Sequence, residues 1–126
     1  MSQLGKWLWQ SKNGAQPQGH GKNRTLWFRG FIGKQEVLIL LDSGSACTFI
    51  SKNLSAQLHY APQPFVAMKF VVAGGQSLES DHFIPNMPWH IKNHTFLFDT
   101  RILSLQCYDM IIGADWLEAY SPMWFH

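Results

Sequence analysis

The sequence is poor in charge and in cysteine, and both shortages narrow the range of possible functions. Only 14% of the 126 residues are charged, and ten basic side chains face eight acidic ones. A basic excess this small and scattered argues against direct nucleic-acid binding. The two cysteines, Cys47 and Cys107, match no zinc-ligand spacing and are interpreted as free thiols in a reducing compartment.

Long apolar runs are also missing. No stretch approaches the roughly 20 apolar residues that cross a membrane, and residues 6–9 (KWLW) are too short for a secretory signal. We therefore expect a soluble, intracellular and cytoplasmic protein that makes no membrane contact. The six histidines share no metal-ligand spacing, so no metal site is expected.

Composition divides the chain near residue 24. Between Gln10 and Arg24 there is no Leu, Ile, Val, Phe, Trp or Tyr, and three glycines interrupt a polar stretch. Residues 1–24 are therefore predicted to be a flexible linker or leader, residues 25–122 one folded domain, and residues 123–126 a tail toward a downstream domain. Apolar residues make up 46% of the chain, which suits a domain with an ordinary core.

Apolar patterning in the folded part predicts many short strands and two short helices. Gly33 and Lys34 form a predicted hairpin turn, and residues 37–41 (VLILL) are apolar on both faces, as in a buried strand. Ser51 and Asp115 are predicted to cap the two helices, which end near residues 58 and 120. The predicted strands are residues 26–32, 36–41, 65–72, 78–84, 89–91, 95–103 and 108–112. A mainly β domain is expected.

Asp42 is the strongest candidate for chemistry, because it ends an aliphatic run and is followed at once by Ser43 and Gly44. A carboxylate at the mouth of a core strand is costly to ionise, since burial favours its neutral form. The Asp-Ser-Gly triplet alone is more typical of an ordinary turn.

Two further features lie in order behind this triplet. A second apolar strand ends in Gly113, about seventy residues later, and leads directly into the last predicted helix. Between the two strands lies a β turn with paired glycines, Gly74 and Gly75. The three features together are more specific than any one of them.

This order of motifs resembles the retropepsin family of aspartic proteases, over about residues 25–122. Residues 41–45 (LDSGS), 49–51 (FIS) and 108–117 (YDMIIGADWL) are similar to proteases of gypsy-class LTR retrotransposons. Residues 118–124 (EAYSPMW) are similar to plant members of that class. The resemblance implies a mainly β fold, the retropepsin-like closed β-barrel of acid proteases, with two short helices.

The resemblance also implies an aspartic endopeptidase that hydrolyses peptide bonds in the retrotransposon polyprotein, without metal or organic cofactor, and it is compatible with a location inside virus-like particles. One chain supplies one such loop, so a homodimer is implied, with the two acids meeting at a two-fold axis. The implied site residues are Asp42 as the catalytic acid, Ser43 and Gly44 as support for its loop, Gly74 and Gly75 as the flap, and Ile112 and Gly113 as packing behind the loop.

The chain departs from viral members of the family at one paired position. Those enzymes carry an Arg and an Asp where this sequence has Ala114 and, after the loop, Ala46 and Cys47. A weak dimer is therefore expected. Two alternatives stay open: a catalytically inactive retropepsin-like dimerisation or binding domain of a decayed element, and a small β interaction domain unrelated to proteases. Cys47 has no identifiable base, which argues against a cysteine protease.

Overall fold

The computed structural model describes residues 25–72 and 75–120. Within these ranges the chain forms seven strands and two short helices. They are β1 (Thr25–Ile32), β2 (Gln35–Asp42), β3 (Phe49–Ser51), α1 (Lys52–Gln57), β4 (Gln63–Val71), β5 (Ser77–Ile91), β6 (His94–Leu103), β7 (Met110–Ile112) and α2 (Ala114–Tyr120). The predicted leader (1–24), the predicted tail (123–126) and Gly74 lie outside the described residues. Neither of these helices has the length and apolar content needed to cross a membrane.

The hairpin of β1 and β2 is confirmed at the predicted turn. Gly33 adopts a φ of 59°, a left-handed conformation that glycine takes without strain. The antiparallel register runs from Ile32 opposite Gln35 to Thr25 opposite Asp42. Asp42 therefore lies at the far end of the hairpin from its turn, where β2 ends.

The seven strands form one sheet in the order β1-β2-β7-β3-β6-β5-β4. One further pairing, Phe31 opposite His90, joins β1 to β5. Because β1 is first and β5 is sixth in the sheet order, this pairing brings together the two ends of a run of six strands. Two pairings are parallel, β2 with β7 and β3 with β6, while the others are antiparallel. The mainly β fold with two short helices is confirmed.

The prediction of two separate strands at residues 78–84 and 89–91 is wrong. The structure has one strand of 15 residues, β5, which pairs with β6 along much of its length. The register shifts between Ile84 and Met87, and Asn86 takes a φ of 48° at that point. Such an irregularity lets the strand bend and continue where the sequence suggested an interruption.

Buried side chains form two clusters, one on each face of β2. Successive residues of a strand point to opposite faces, and accordingly Leu41 belongs to the main cluster and Leu40 to the smaller one. The main cluster includes Trp116 of α2, which is fully buried. The smaller cluster contains Leu40, Phe49, Leu103, Leu105 and Ile111.

The helix caps were predicted correctly at one helix and wrongly at the other. The hydroxyl oxygen of Ser51 accepts a hydrogen bond from the Leu54 amide at 3.0 Å, which caps α1 as expected. Helix α2 begins at Ala114, one residue earlier than predicted, so Asp115 lies inside the first turn. Its carboxylate accepts a hydrogen bond from the Trp116 amide at 2.6 Å and also forms bonds outside the helix, in the region described next.

Candidate active site

Asp42 lies half-buried at the end of β2, and its own loop folds back on it. The Gly44 amide donates a hydrogen bond to Oδ1 of Asp42 at 2.9 Å, and the Ser45 amide donates to the Asp42 carbonyl at 3.0 Å. Burial raises the pKa of Asp42, and the bond from Gly44 partly offsets that rise. The carboxyl therefore keeps its proton to a higher pH than an exposed aspartate.

The β4–β5 hairpin covers the face of the sheet on which Asp42 lies. Asp42 is two residues beyond Leu40, so both point to the side of the smaller cluster. Val72 and Leu78, at the two ends of the hairpin turn, pack against that cluster. A cavity of about 100 Å³ separates this turn from the chain that leads into β7. Its lining residues are Val72, Gln76, Leu78, Leu105, Gln106, Cys107, Tyr108 and Ile111.

The hairpin turn contains one of the two predicted flap glycines within the described residues. Gly75 has a φ of 85°, where a residue with a side chain would be strained. Its amide donates to the Val72 carbonyl at 2.9 Å, and the Val72 amide donates to the Gln76 carbonyl at 2.9 Å. Gly74, the other predicted flap residue, lies outside the described residues.

Behind Asp42, hydrogen bonds tie its loop to the start of α2. The Ala114 amide donates to the Ser45 carbonyl at 2.7 Å, and the Asp115 amide donates to the Ala46 carbonyl at 3.3 Å. Thr48 is fully buried, and its hydroxyl donates to Oδ1 of Asp115 at 2.7 Å. The Thr48 amide also donates to Oδ2 of Asp115 at 3.2 Å. The loop is thus fixed by both backbone and side chains.

Gly113, between β7 and α2, lies where the backbone passes closest to residues 45–47 of the Asp42 loop. Its amide donates to the Thr48 hydroxyl oxygen at 3.1 Å. A Cβ added to Gly113 would lie 2.3 Å from the Cys47 carbonyl oxygen and 2.7 Å from that of Ser45. Only glycine permits this close approach. Ile112, the other predicted packing residue, is fully buried and pairs with Leu41, next to Asp42.

A further set of hydrogen bonds, formed by Asp109, was not predicted from the sequence. Oδ2 of Asp109 accepts a hydrogen bond from the Leu38 amide at 2.7 Å, and the Asp109 amide donates to the Leu38 carbonyl at 2.9 Å. The Asp109 carbonyl accepts from the Ser51 amide at 2.8 Å. Asp109 therefore links β2, β3 and the start of β7. The signal that could have revealed this role is an acid placed directly before a three-residue buried strand.

The remaining titratable groups near the loop do not provide a nucleophile. Burial raises the pKa of Asp115, although hydrogen bonds from Thr48 and Trp116 oppose the rise. Burial also raises the pKa of the Cys47 thiol, and the nearby Asp115 carboxylate adds to this effect. Cys47 is thus kept as a neutral thiol, which is a poor nucleophile.

Three further residues singled out in the sequence can be placed in this region. Ser43 is half-buried directly after Asp42. Ala46 and Ala114 lie at the loop and at the start of α2, and they contribute only backbone bonds there. Among residues 25–72 and 75–120, no group of three or more His, Cys, Asp or Glu side chains is placed to hold a metal ion.

Comparison with known proteins identifies a family and similar folds for most of the described domain. A sequence profile described as "Retroviral aspartyl protease" matches residues 29–124. No curated protein matches the chain significantly. Among solved structures, the retroviral protease-like domain of Ddi1 from Leishmania major is 22% identical, with a TM-score of 0.58 over 76% of this chain and 77% of that one. The EIAV protease, complexed with the inhibitor HBY-793, is 16% identical, with a TM-score of 0.58 over 81% of this chain and 93% of that one.

Proposed function

The chain belongs to the retroviral aspartyl protease family, and from this premise we propose that it is an aspartic endopeptidase of the retropepsin type that is active as a homodimer. Its substrate in this proposal is a polyprotein of an LTR retrotransposon of the gypsy class, as in plants. The proposal rests above all on one observation: a half-buried Asp42 at the end of β2, held by the Gly44 amide on a loop that is fixed from behind.

The chemistry requires two carboxyl groups, and each chain supplies one of them. Two ionised carboxylates about 3 Å apart repel by about 5 kcal/mol at an effective dielectric constant near 20. One acid therefore keeps its proton while the other is ionised, and the pair titrates as a unit. Burial of Asp42 within its own chain already favours the protonated form, and the approach of a second copy would add to that preference.

In the proposed reaction the ionised carboxylate accepts a proton from a bound water, whose oxygen attacks the scissile carbonyl carbon. The protonated carboxyl donates a hydrogen bond to the carbonyl oxygen and stabilises the negative charge that develops there. Proton transfer to the amide nitrogen then releases the amine product. Every proton in this sequence moves between water, the two aspartates and the peptide, so the reaction needs no cofactor.

The β4–β5 hairpin would close over an extended substrate. Its turn lies over the sheet face that carries Asp42, with an apolar cavity of about 100 Å³ beneath it. An extended peptide between hairpin and sheet could form strand-like hydrogen bonds with both. Closure would also exclude bulk water from the reacting bond.

A second candidate function is supported by the two alanines of the loop region. Ala46 and Ala114 form no ion pair between loop and helix, whereas viral relatives are expected to have one there. A domain without this support would form weak dimers, and it could act as an inactive dimerisation or binding domain. The concentration dependence of cleavage distinguishes the two functions.

The test compares the native chain with Asp42→Asn on a longer polyprotein fragment, over a range of protein concentrations. We expect cleavage by the native chain alone, with a rate per mole of enzyme that rises with concentration as dimers form. Glu118→Gln is the control, because it makes the same carboxylate-to-amide change on an exposed part of α2 and should leave the rate unchanged.

A statine-type inhibitor should abolish the cleavage. Cleavage by Asp42→Asn, or resistance to that inhibitor, would contradict the dyad. Absence of cleavage at every concentration, together with a measurable dimer, would favour the binding domain.

A further inference from the structure

A groove of about 590 Å³ lies between α1 and part of β5, and none of its lining residues belongs to the Asp42 loop. Its apolar lining includes Leu58, Tyr60 and Ile102, and two acidic side chains, Glu79 and Asp81, also line it. Nothing in the proposed protease reaction uses this groove. Its mixture of apolar and acidic side chains indicates a ligand that is both apolar and basic.

The two acidic side chains of the groove, Glu79 and Asp81, are exposed to solvent. Nδ1 of His82 lies 2.8 Å from Oδ1 of Asp81, and this hydrogen bond lowers the pKa of Asp81. Asp81 is therefore ionised at neutral pH. Glu79 lies opposite Lys69 in the register of β4 and β5. Among the groove residues that the structure describes, Lys52 is the one Lys or Arg, so the lining carries two acidic side chains and one basic one.

The chain itself contains a segment with the complementary chemistry. Residues 1–24 carry four of the ten basic residues and none of the eight acidic ones. The charge of this leader is therefore +4, whereas residues 25–126 carry six basic and eight acidic residues, a net charge of −2. Within the leader, residues 6–12 (KWLWQSK) place three large apolar side chains between two lysines.

The length of chain between this segment and β1 is sufficient to reach the groove. Twelve residues, 13–24, separate residues 6–12 from the start of β1 at Thr25. Fully extended, they span about 40 Å at about 3.3 Å per residue. A domain of about 100 residues has a radius of gyration of about 13 Å. A tether of this length also gives a segment a high effective concentration at a site on its own domain.

We propose that residues 6–12 bind this groove of their own chain. In this arrangement Trp7 and Trp9 lie against the apolar lining, while Lys6 and Lys12 face the two acidic side chains. Because Glu79 and Asp81 belong to β5, the bound leader would connect α1 to the strand that continues into the β4–β5 hairpin. The proposal does not depend on proteolytic activity.

Zero-length crosslinking of the full chain locates the segment. A carbodiimide joins an amine to a carboxylate only where the two are in contact, and mass analysis of the peptides identifies the pair. We expect links from Lys6 or Lys12 to Glu79 or Asp81, within species of monomer mass. Links of this kind only in species of dimer mass would overturn the proposal, because the groove would then hold the leader of a second copy. Links elsewhere without these pairs would also overturn it.

Amide hydrogen exchange then tests the energetic coupling. We expect slow exchange of amides 7–9 in the native chain, faster exchange in Asp81→Lys, and no change in Glu118→Lys, which reverses a charge on α2 away from the groove. Conversely, Trp7→Ser with Trp9→Ser should accelerate exchange in residues 52–60, because coupling between two contacting sites is reciprocal. Equal exchange in the two charge-reversal variants would refute the proposed pairing.

Asp81→Lys combined with Lys6→Glu and Lys12→Glu inverts both sides of the pairing. Slow exchange of amides 7–9 should return in this combination, since opposite charges face each other again. Exchange as fast as in Asp81→Lys alone would show that the charges do not pair, and would overturn the proposal.

Discussion

The loop that carries Asp42 and strand β4 are supported in different ways. The loop is tied to the start of α2 by backbone and side-chain hydrogen bonds, and its Thr48 is fully buried. Among the strands that the structure describes, β4 pairs with β5 alone, and eight of its nine residues are exposed. The domain thus fixes the acid firmly and leaves the covering strand accessible at the edge of the sheet, with little buried area to restrain it.

The exposed residues of β4 are largely apolar, which is unusual for an edge strand. Val66 and Val71 are 71% and 73% exposed, and Phe65 is 50% exposed. Apolar side chains on such an edge favour association with another chain. A peptide or a second copy of the domain would both bury them, and either fits the proposed function.

The largest expected effect on the free energy of unfolding comes from Gly113, which lies against the Asp42 loop. Gly113→Ala should lower the free energy of unfolding by about 3 kcal/mol or more, because its Cβ would overlap a backbone carbonyl oxygen that cannot move aside. Gly33→Ala is the control, since its Cβ meets no atom within 4 Å and only its φ is strained. That substitution should cost about 1–2 kcal/mol. Urea unfolding of both variants measures the difference, and equal losses would contradict the close crossing.

A smaller loss of stability is expected when the Thr48 hydroxyl is removed from the loop, and this loss can be compared with that from a hydroxyl introduced on β4. Thr48→Val removes both the donor to Asp115 and the acceptor of the Gly113 amide, which should cost about 2–3 kcal/mol. The reverse change on the exposed strand, Val66→Thr, should cost less than about 0.5 kcal/mol. Urea unfolding checks both values. A large loss from Val66→Thr would show that β4 is as firmly packed as the loop.

Arg101 of β6 connects the two regions, and its loss should have a modest effect. Its guanidinium lies 4.4 Å from the ring centre of Phe65 and 5.5 Å from that of Phe70, both in β4. Arg101→Gln should lower stability by about 0.5–1 kcal/mol, and Arg101→Lys by less. Hydrogen exchange should accelerate more in β4 than in residues 42–48, where Arg101 lies close to the Cys47 side chain. Equal acceleration in both segments would mean that the two regions are not independent.

The smallest expected effect is a change in how stability depends on pH. Burial raises the pKa of Asp115 in the folded chain above its ordinary value of 3.8, so the folded state holds more protons than the unfolded state just above that value. The contribution of Asp115 to the free energy of unfolding therefore decreases as the pH rises through that range. Across this pH range the free energy of unfolding should fall less steeply in Asp115→Asn than in the native chain, although the variant is less stable at every pH.

A matched variant on β5 should change the slope in the opposite direction. The hydrogen bond with His82 lowers the pKa of Asp81, so its contribution is present above the ordinary value and is lost as the pH falls. The contribution of Asp81 rises with pH and so opposes that of Asp115. Its removal in Asp81→Asn should make the free energy of unfolding fall more steeply as the pH rises. A slope that changes in the same direction for both variants would contradict the assigned causes.

Local signals in the sequence predicted most of the fold. A glycine at a tight turn gave the β1–β2 hairpin, and Ser51 before an amphipathic segment gave α1. An acid after an aliphatic run marked Asp42 as the candidate. Each of these features depends on residues a few positions apart, which is why pattern and propensity were sufficient.

The contacts that fix the site could not be predicted in the same way, because they join distant parts of the chain. Thr48 and Asp115 are 67 residues apart, and Leu38 and Asp109 are 71 apart. In the sequence, both acids resemble ordinary turn or capping residues. The continuous β5 was missed for a related reason, since only its pairing with β6 shows that the strand continues past residues 84–87.

The parallel pairing of β2 with β7 has a consequence for the order of events during synthesis. A ribosome delivers the aspartate about seventy residues before it delivers the strand that anchors it. Until β7 and α2 emerge, β2 lacks one of its two neighbours and the Asp42 loop lacks its hydrogen bonds to the start of α2. A nascent or prematurely terminated chain would therefore carry Asp42 on a loop without its anchors, and the arrangement around this carboxyl is complete only near the end of translation of this domain.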